Sequence, residues 1–227
     1  MKRNRVIYKK YMKRFLDIVC SCGALIVLSP ILLIIAVLVK IKLGTPVLFK
    51  QERVGLNGSV FKLYKFRTMT DEKDMNGNIL PDEKRLTTFG RRLRATSLDE
   101  LPELVNIIKG NMSIIGPRPL LPSYIPYYTN EESHRHDVRP GLTGLAQING
   151  RSFISWEEVF KLDLDYVKNI KFSRDIKIII YTIKMVLAKD NISDATEMIR
   201  EGNNLYILVD GKKQKVHEAL DKERKSQ

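Results

Sequence analysis

An adjacent acidic pair, Asp99-Glu100, is the feature of this sequence best suited to chemistry. An ionised carboxylate can attack a phosphorus atom or bind Mg²⁺. Helix capping is the alternative, because the stretch from Ser97 to Glu100 has the pattern of a capping box. If Asp99 is the cap instead, Pro102 falls in the first turn of a helix that ends at Gly110. Either register predicts Asp99 at the positive end of a helix dipole, which favours the ionised carboxylate.

Basic residues accompany this pair on both sides. Lys65 lies in a stretch that predicts a β-hairpin, Arg94 comes shortly before Asp99, and Arg118 stands between two prolines. A guanidinium on a stiff backbone can bind phosphate oxygens bidentately. For any one of these residues, a solvated or lipid-facing charge is the simpler interpretation. Their clustering around one acidic pair favours a phosphate-binding site.

A tight loop is predicted from Arg139 to Gly144. Gly141 and Gly144 would either let backbone amides approach a phosphate or form the turn itself. The segment His134-Arg135-His136 has no acidic or cysteine partner at ligand spacing, so a metal site there is not favoured.

The element that would position these residues is an apolar run from Phe15 to Ile41, with Ser29-Pro30 at its centre. As one straight helix it could cross a hydrocarbon core of about 30 Å. Pro30 lacks an N–H and clashes with the preceding turn, so a helix must kink or break there. Basic residues near membrane ends stay cytoplasmic. The basic residues before the run are Lys2, Arg3, Arg5, Lys9, Lys10, Lys13 and Arg14, and those after it are Lys40, Lys42, Lys50 and Arg53. We therefore expect a re-entrant hairpin of two helical arms, with a straight span as the alternative.

The charge and cysteine content of the chain limit the classes of ligand that we expect it to bind. The formal net charge of +13 and the pI near 9.7 favour anionic partners, namely phosphate substrates, acidic lipids or nucleic acid. Cys20 and Cys22 lie in the apolar run and are typical of small hydrophobic residues there, not of a disulfide or a metal site.

The fold expected is α+β and mainly helical. Residues 1–43 would form a basic N-terminal segment and the re-entrant membrane helix, residues 44–190 a compact cytoplasmic domain, and residues 191–227 a polar tail. The domain would contain a small β-hairpin, indicated by Asn57-Gly58 between β-rich runs. It would also contain interfacial amphipathic helices, since the predicted helix Phe172–Ala188 suits either a membrane surface or a core.

Six motifs, in this order, resemble those of bacterial sugar transferases, the monotopic polyprenyl-phosphate phosphoglycosyl transferases. They are Lys13-Arg14-Phe15-Leu16-Asp17, Ser29-Pro30, Lys65-Phe66-Arg67-Thr68-Met69, Ser97-Leu98-Asp99-Glu100-Leu101-Pro102, Gly116-Pro117-Arg118-Pro119, and Arg139-Pro140-Gly141-Leu142-Thr143-Gly144 through Asn149-Gly150-Arg151. The resemblance covers about residues 10–196 and is greatest to the small members of the family.

The resemblance implies transfer of a phospho-sugar from a UDP-sugar to undecaprenyl phosphate, with release of UMP, through a covalent intermediate. Asp99 matches the nucleophile that attacks the β-phosphate, with Mg²⁺ bound beside it, and Glu100 matches its acidic partner in metal or proton handling. The matching basic positions around the phosphates are Lys65, Arg94, Arg118 and, in the Arg-Pro-Gly motif, Arg139. The expected location is the bacterial inner membrane. The protein would enter the bilayer from one side only, and its catalytic domain would face the cytoplasm.

Two questions stay open at this stage. A non-enzymatic, membrane-anchored basic protein that binds acidic lipid or nucleic acid is the alternative function, whereas the transferase has no nucleic-acid partner. The sugar is also open: similarity to the small members favours an N-acetylated or diacetamido-hexose, and galactose or glucose is possible.

Overall fold

The computed structural model describes residues 8–149 and 154–188, together with the backbone of three strands beyond them. A π-helical turn, Tyr8–Met12, leads into the long helix α1, Lys13–Leu43. The remaining helices of the described domain are α2 (Asp82–Arg85), α3 (Thr88–Ala95), α4 (Glu103–Lys109), α5 (Asn130–Ser133), α6 (Leu145–Ile148), α7 (Trp156–Lys168) and α8 (Phe172–Ala188). The expected mainly helical fold with one small hairpin is confirmed.

Helix α1 is one continuous helical element rather than two separate helices, and the bend that re-entry requires stays a prediction. Its hydrogen-bonded helix continues through Pro30. Because Pro30 has no N–H, the carbonyl of Ile26 loses its usual partner four residues ahead. The hydroxyl of Ser29 donates to that same carbonyl at 2.8 Å. The serine thus satisfies the group that the proline leaves open, and the helix persists.

Helix α1 packs against the domain at both ends and, along one face, at its centre, where Ala24, Leu25 and Leu32 contact core clusters. Near its start, the Arg14 guanidinium donates to the carbonyls of Ile107 and Ile108, at 2.7 and 3.0 Å. Near its end, Val39 and Leu43 are buried in a core cluster that also contains Phe66 and Leu93. Other apolar side chains at the centre are exposed, among them Ile26, Val27 and Leu33. The helix is long and apolar enough to cross a membrane.

The predicted hairpin is confirmed as strands β1 (Leu48–Val54) and β2 (Val60–Phe66), paired antiparallel. Helix α4 lies along the free edge of β2. Its buried Asn106 side chain donates to the carbonyl of Lys62 at 2.8 Å and accepts from the N–H of Tyr64 at 3.0 Å. An amide that satisfies two groups of a strand edge fixes the register between helix and strand. This contact brings Lys65 close to the start of α4.

A short parallel pair, β3 (Ser113–Ile115) and β4 (Gly141–Thr143), follows α4. Gly141 and Gly144 pack against the backbone of Gly116. A Cβ atom on Gly141 would lie 2.1 Å from the Gly116 nitrogen, and one on Gly144 would lie 2.1 Å from the Gly116 oxygen. These glycines therefore serve a close approach of two backbones, which neither the phosphate-binding nor the turn hypothesis included.

The predicted helix Phe172–Ala188 is confirmed as α8, which follows α7. Asp175 of α8 links this helix to the start of the described chain and to α7. Its carboxylate accepts hydrogen bonds from Tyr8 at 2.6 Å, Lys13 at 2.9 Å and Tyr166 at 2.9 Å. Helix α8 also leaves a row of apolar side chains exposed, namely Phe172, Ile176, Ile180, Ile183 and Leu187.

The segment expected to be a polar tail contains strands. They are β5 (Met198–Glu201), β6 (Asn204–Val209) and β7 (Lys212–Lys215), paired antiparallel in sequence order. Residues 1–7, 150–153 and the rest of the tail lie outside the described residues. Lys2, Arg3 and Arg5 of the basic segment, and Gly150 and Arg151 of the last motif, therefore have no structural account.

Candidate active site

The acidic pair lies on a short 3-10 turn, Leu98–Glu100, between α3 and α4. Neither predicted helix start is found, because Ser97 adopts a left-handed conformation, with φ of 54°, and makes no capping hydrogen bond through its side chain. Pro102 takes the cap position instead, and α4 begins at Glu103. Asp99 consequently lies outside the helix, and the dipole argument for its ionisation does not hold.

Glu100 is the centre of an ion-pair cluster. Its Oε1 atom lies 2.6 Å from the Lys65 ammonium and 3.2 Å from the Arg118 guanidinium. Burial would raise the pKa of Glu100, but these two cations hold it at about 2. Glu100 is therefore ionised at neutral pH. The structure thus brings together three residues that come from β2, the 3-10 turn and the loop after β3.

Asp99 differs from its neighbour, although both belong to one turn. Its side chain is buried, and burial raises its pKa to about 6, with the Glu100 charge adding to the effect and Lys65 and Arg94 opposing it. Among the residues that the structure describes, no ion pair involves Asp99. At pH 7 this carboxylate is mostly ionised, poorly solvated and not neutralised by a direct partner. Such a group is a competent nucleophile.

Arg94 reaches this region from α3. Its Nε atom donates to the Thr68 hydroxyl at 3.0 Å, and Thr68 is itself buried. Gly90 makes the approach possible, because a Cβ atom there would lie 1.8 Å from the Thr68 carbonyl oxygen. The glycine thus sets the distance between α3 and the strand end that carries Lys65.

Arg118 has a fixed backbone and an open side chain. Its carbonyl accepts from the buried guanidinium of Arg135 at 2.8 Å. Arg135 in turn pairs with the buried Asp163 of α7 at 2.6 Å. The Arg118 side chain remains 45% exposed. A guanidinium held in this way can face solvent and bind an incoming phosphate.

Arg139 lies outside this cluster, and its phosphate-binding role stays a prediction. Its Nε atom donates to the carbonyl of Gly110 at 2.8 Å, beyond the last residue of α4. Helix α4 begins at Glu103, so Gly110 lies at the opposite end of the helix from the Glu100 cluster. Arg14 binds neighbouring carbonyls, so two cations stabilise the negative end of the α4 dipole. The role that this position supports for Arg139 is structural.

Glu103 is the site residue that sequence reasoning missed. It is 3% exposed, and its Oε1 atom lies 3.4 Å from the Lys65 ammonium. Burial raises its pKa to about 8, and the Glu100 charge adds to this, so Glu103 is mostly protonated at pH 7. The spacing of Glu100 and Glu103, three apart, is a signal that two acids share one side of a helical segment.

The carboxylates of this site are the groups that could bind Mg²⁺, which prefers oxygen ligands. The described residues contain no group of three or more His, Cys, Asp or Glu that could hold a metal ion by themselves. Magnesium, however, commonly uses only one or two carboxylates and completes its shell with water and substrate phosphates. The ion-pair-free Asp99 carboxylate fits that second arrangement.

Comparison with known proteins identifies the family. The bacterial sugar transferase family matches residues 8–189. EpsL of Bacillus subtilis, described as an uncharacterized sugar transferase, is 50% identical over 190 residues, which are 84% of this chain and 94% of that protein. The UDP-glucose:undecaprenyl-phosphate glucose-1-phosphate transferase of Caulobacter vibrioides is 38% identical over 194 residues, covering 79% of this chain and 71% of its own. The undecaprenyl-phosphate galactose phosphotransferase of Salmonella typhimurium is 36% identical over 201 residues, covering 80% and 41%. The chain belongs to the bacterial sugar transferase family.

Proposed function

We propose that this protein transfers a phospho-sugar from a UDP-sugar to undecaprenyl phosphate, releasing UMP and forming undecaprenyl-diphosphate-sugar. Relatives at 36–41% identity are named for transfer of glucose 1-phosphate or galactose phosphate to undecaprenyl phosphate. The observation that carries the proposal is the buried Asp99 carboxylate, without an ion-pair partner among the described residues, beside a cluster of cations.

The transfer proceeds in two displacements at one phosphorus atom. In the first, an Asp99 oxygen bonds to the β-phosphorus, the bond from phosphorus to the bridging oxygen breaks, and UMP leaves with the electron pair. In the second, a phosphate oxygen of undecaprenyl phosphate bonds to the same phosphorus, and the aspartyl oxygen leaves as the free carboxylate. A covalent intermediate lets a soluble nucleotide and a membrane lipid use one site in turn.

The surrounding cations neutralise charge on the phosphates. Arg118 is exposed and contacts bound phosphate oxygens, while Lys65 and Arg94, whose charges act on Asp99, lower the negative charge of the occupied site. Asp99 would hold Mg²⁺ together with substrate phosphate oxygens, and the ion would supply further neutralisation of phosphate charge. Glu100 keeps Lys65 and Arg118 in place.

We propose that α1 enters the cytoplasmic leaflet of the inner membrane and returns to the same side. Support comes from the packing of both its ends on one domain, at Arg14 and at Leu43, with exposed apolar residues between them. The apolar row on α8 would lie at the same headgroup level. Cysteines at Lys9 and Ser59, in a Cys20→Ala and Cys22→Ala background, test this with an impermeant maleimide. Labelling of both from the cytoplasmic side supports re-entry, and labelling from opposite sides indicates a straight span.

The decisive experiment is a UMP-release assay with undecaprenyl phosphate, Mg²⁺ and a panel of UDP-sugars. The panel includes UDP-glucose and UDP-galactose, which the relatives' names suggest, and N-acetylated and diacetamido sugars. We expect release with at least one donor, and a phospho-sugar adduct on Asp99 by mass spectrometry when the lipid is omitted. A non-enzymatic basic protein would release no UMP and would bind anionic vesicles equally well after Asp99→Asn.

A further inference from the structure

One lysine in the site serves two buried carboxyl groups. The Lys65 ammonium lies 2.6 Å from Glu100 and 3.4 Å from Glu103, and both carboxyl groups approach it through their Oε1 atoms. Glu100 is also bound by Arg118, whereas Glu103 has Lys65 as its only ion-pair partner among the described residues. Glu103 therefore acts on the site through Lys65.

The ammonium group has three N–H donors in tetrahedral directions. One of them donates to Glu100 at 2.6 Å, and Glu103 lies within ion-pair distance at 3.4 Å, so the two carboxyl groups leave one N–H for a further acceptor. The Lys65 side chain is 20% exposed, so a ligand can still reach it, and the charges of Asp99 and Arg118 both act on its ammonium. A lysine held at one point by a flexible stem could turn its charge away, but one held at two points has a defined direction.

We propose that Glu103 is a positioning residue that fixes the Lys65 ammonium between two carboxyl groups and directs its remaining N–H towards the phosphates of the nucleotide sugar. This inference rests on the proposed transferase function and names a further determinant of the same site.

The charge state of Glu103 decides whether this arrangement helps an anionic substrate. The charged groups that face Glu103 are Lys65 from β2, Glu100 from the 3-10 turn and Arg118 from the loop after β3. In its protonated form Glu103 still accepts a hydrogen bond through its carbonyl oxygen and adds no negative charge. Once ionised, it would add a third carboxylate to Asp99 and Glu100 and weaken binding of a diphosphate.

The test compares Glu103→Gln and Glu103→Leu with matched changes at Glu131, an exposed glutamate that pairs with Lys168 at 3.1 Å. Glutamine imitates the protonated acid, with a carbonyl acceptor and no charge. We expect Glu103→Gln to keep UMP release within about twofold at pH 7, and Glu103→Leu to lose about tenfold or more in kcat/KM, mainly through KM. Both Glu131 variants should match the wild type.

The pH profile separates positioning from a merely structural role. Wild-type activity should fall as pH rises through about 8, the pKa of Glu103, and the ratio of Glu103→Gln to wild-type activity should rise over the same interval. If Glu103→Leu unfolds, this ratio decides alone.

Two results would overturn the inference while the proposed function stands: Glu103→Leu with the kcat/KM of an active wild type, or a Glu103→Gln variant whose pH profile is superimposable on the wild type. A wild-type protein that releases no UMP from any donor refutes the transferase and the positioning role together.

Discussion

Two ion-pair clusters meet at Arg118 and differ in almost every physical property. Arg135 and Asp163 are each 2% exposed, and the guanidinium makes two hydrogen bonds to the same carboxylate oxygen, at 2.6 and 3.1 Å. The cluster around Glu100 is open, since the Arg118 side chain is 45% exposed. The closed cluster holds the carbonyl of Arg118, and the open one holds its side chain. One cluster therefore fixes the loop that the other uses for binding.

The two clusters differ in how their buried charges are neutralised. In the closed cluster one cation faces one anion, and burial of either alone would be costly. In the open cluster Asp99, Glu100 and Glu103 face Lys65, Arg94 and Arg118. Burial raises the pKa of Asp99 to about 6 and that of Glu103 to about 8, whereas Lys65 and Arg118 hold the pKa of Glu100 at about 2. Such separation within one turn assigns different protonation states to neighbouring acids, as reaction sites require. Changes in the open cluster should therefore alter activity, and changes in the closed cluster should alter stability.

Asp99→Asn tests the open cluster most severely. The amide is a poor nucleophile, so UMP release should fall by roughly 10³-fold or more, as for removal of other covalent nucleophiles. Single-turnover UMP formation measures this without interference from lipid turnover. A variant that still forms the phospho-sugar adduct on its polypeptide would contradict the assignment.

The same variant should be more stable than the wild type in the absence of Mg²⁺. Because the folded-state pKa of Asp99 is raised to about 6, ionisation of this group removes stability as pH rises from about 4 to 6. At pH 7 the asparagine variant should gain roughly 2–3 kcal/mol, and the gain should vanish below about pH 4. Thermal unfolding in detergent across this pH range measures the difference. Equal stability at both pH values would mean that Asp99 is well solvated.

Arg135→Leu breaks the closed cluster. Removing the cation leaves Asp163 buried without its partner, and the expected loss of stability is about 3–5 kcal/mol. The double variant Arg135→Leu with Asp163→Leu should recover most of this loss, because it buries no charge. Its UMP release should remain several-fold below the wild type, since the Arg118 carbonyl still lacks a donor. Full activity in the stable double variant would show that the two clusters are independent.

The sequence predicts the helices and strands of this molecule better than it predicts the residues of the site. The hairpin follows from Asn57-Gly58, and α8 follows from its amphipathic sequence, both of which are local signals. Arg135 and Asp163 lie 28 positions apart, and only tertiary packing brings them together. Glu103 was missed for the same reason, because its significance comes from burial against a lysine on another element.

One error, the predicted helix start at Ser97 or Asp99, has a local cause. Ser97 is left-handed and precedes a new turn, and a serine in that conformation has no strong sequence signal, unlike a glycine. Of the residues that the motifs grouped, the structure places Lys65 and Arg118 beside Glu100, whereas Arg139 lies at the far end of α4.

Gly90→Ala tests how closely the open cluster depends on packing. The added methyl would meet the Thr68 carbonyl at 1.8 Å, so α3 must move and carry Arg94 with it. A displacement of this kind at a phosphate site costs about tenfold in kcat/KM or more. Gly23→Ala is the matched control, because it is also a helical glycine and has nothing within 4 Å of the new methyl. Similar kinetics for the two variants would show that Arg94 does not depend on this contact.

Arg139→Gln should have the smallest effect, and it separates the two positions that the sequence grouped together. The change removes a hydrogen bond to Gly110, which costs about 1 kcal/mol. It also relieves repulsion with Arg14, whose pKa is lowered first by burial and then by the Arg139 charge. Because the two effects oppose each other, we expect stability to change by less than about 1 kcal/mol and UMP release to stay within about twofold of the wild type.

Arg118→Gln is the counterpart in the open cluster and should raise the KM for the UDP-sugar by about tenfold or more, since a phosphate ligand is lost. Equal increases in KM for the two variants would return Arg139 to the phosphate site.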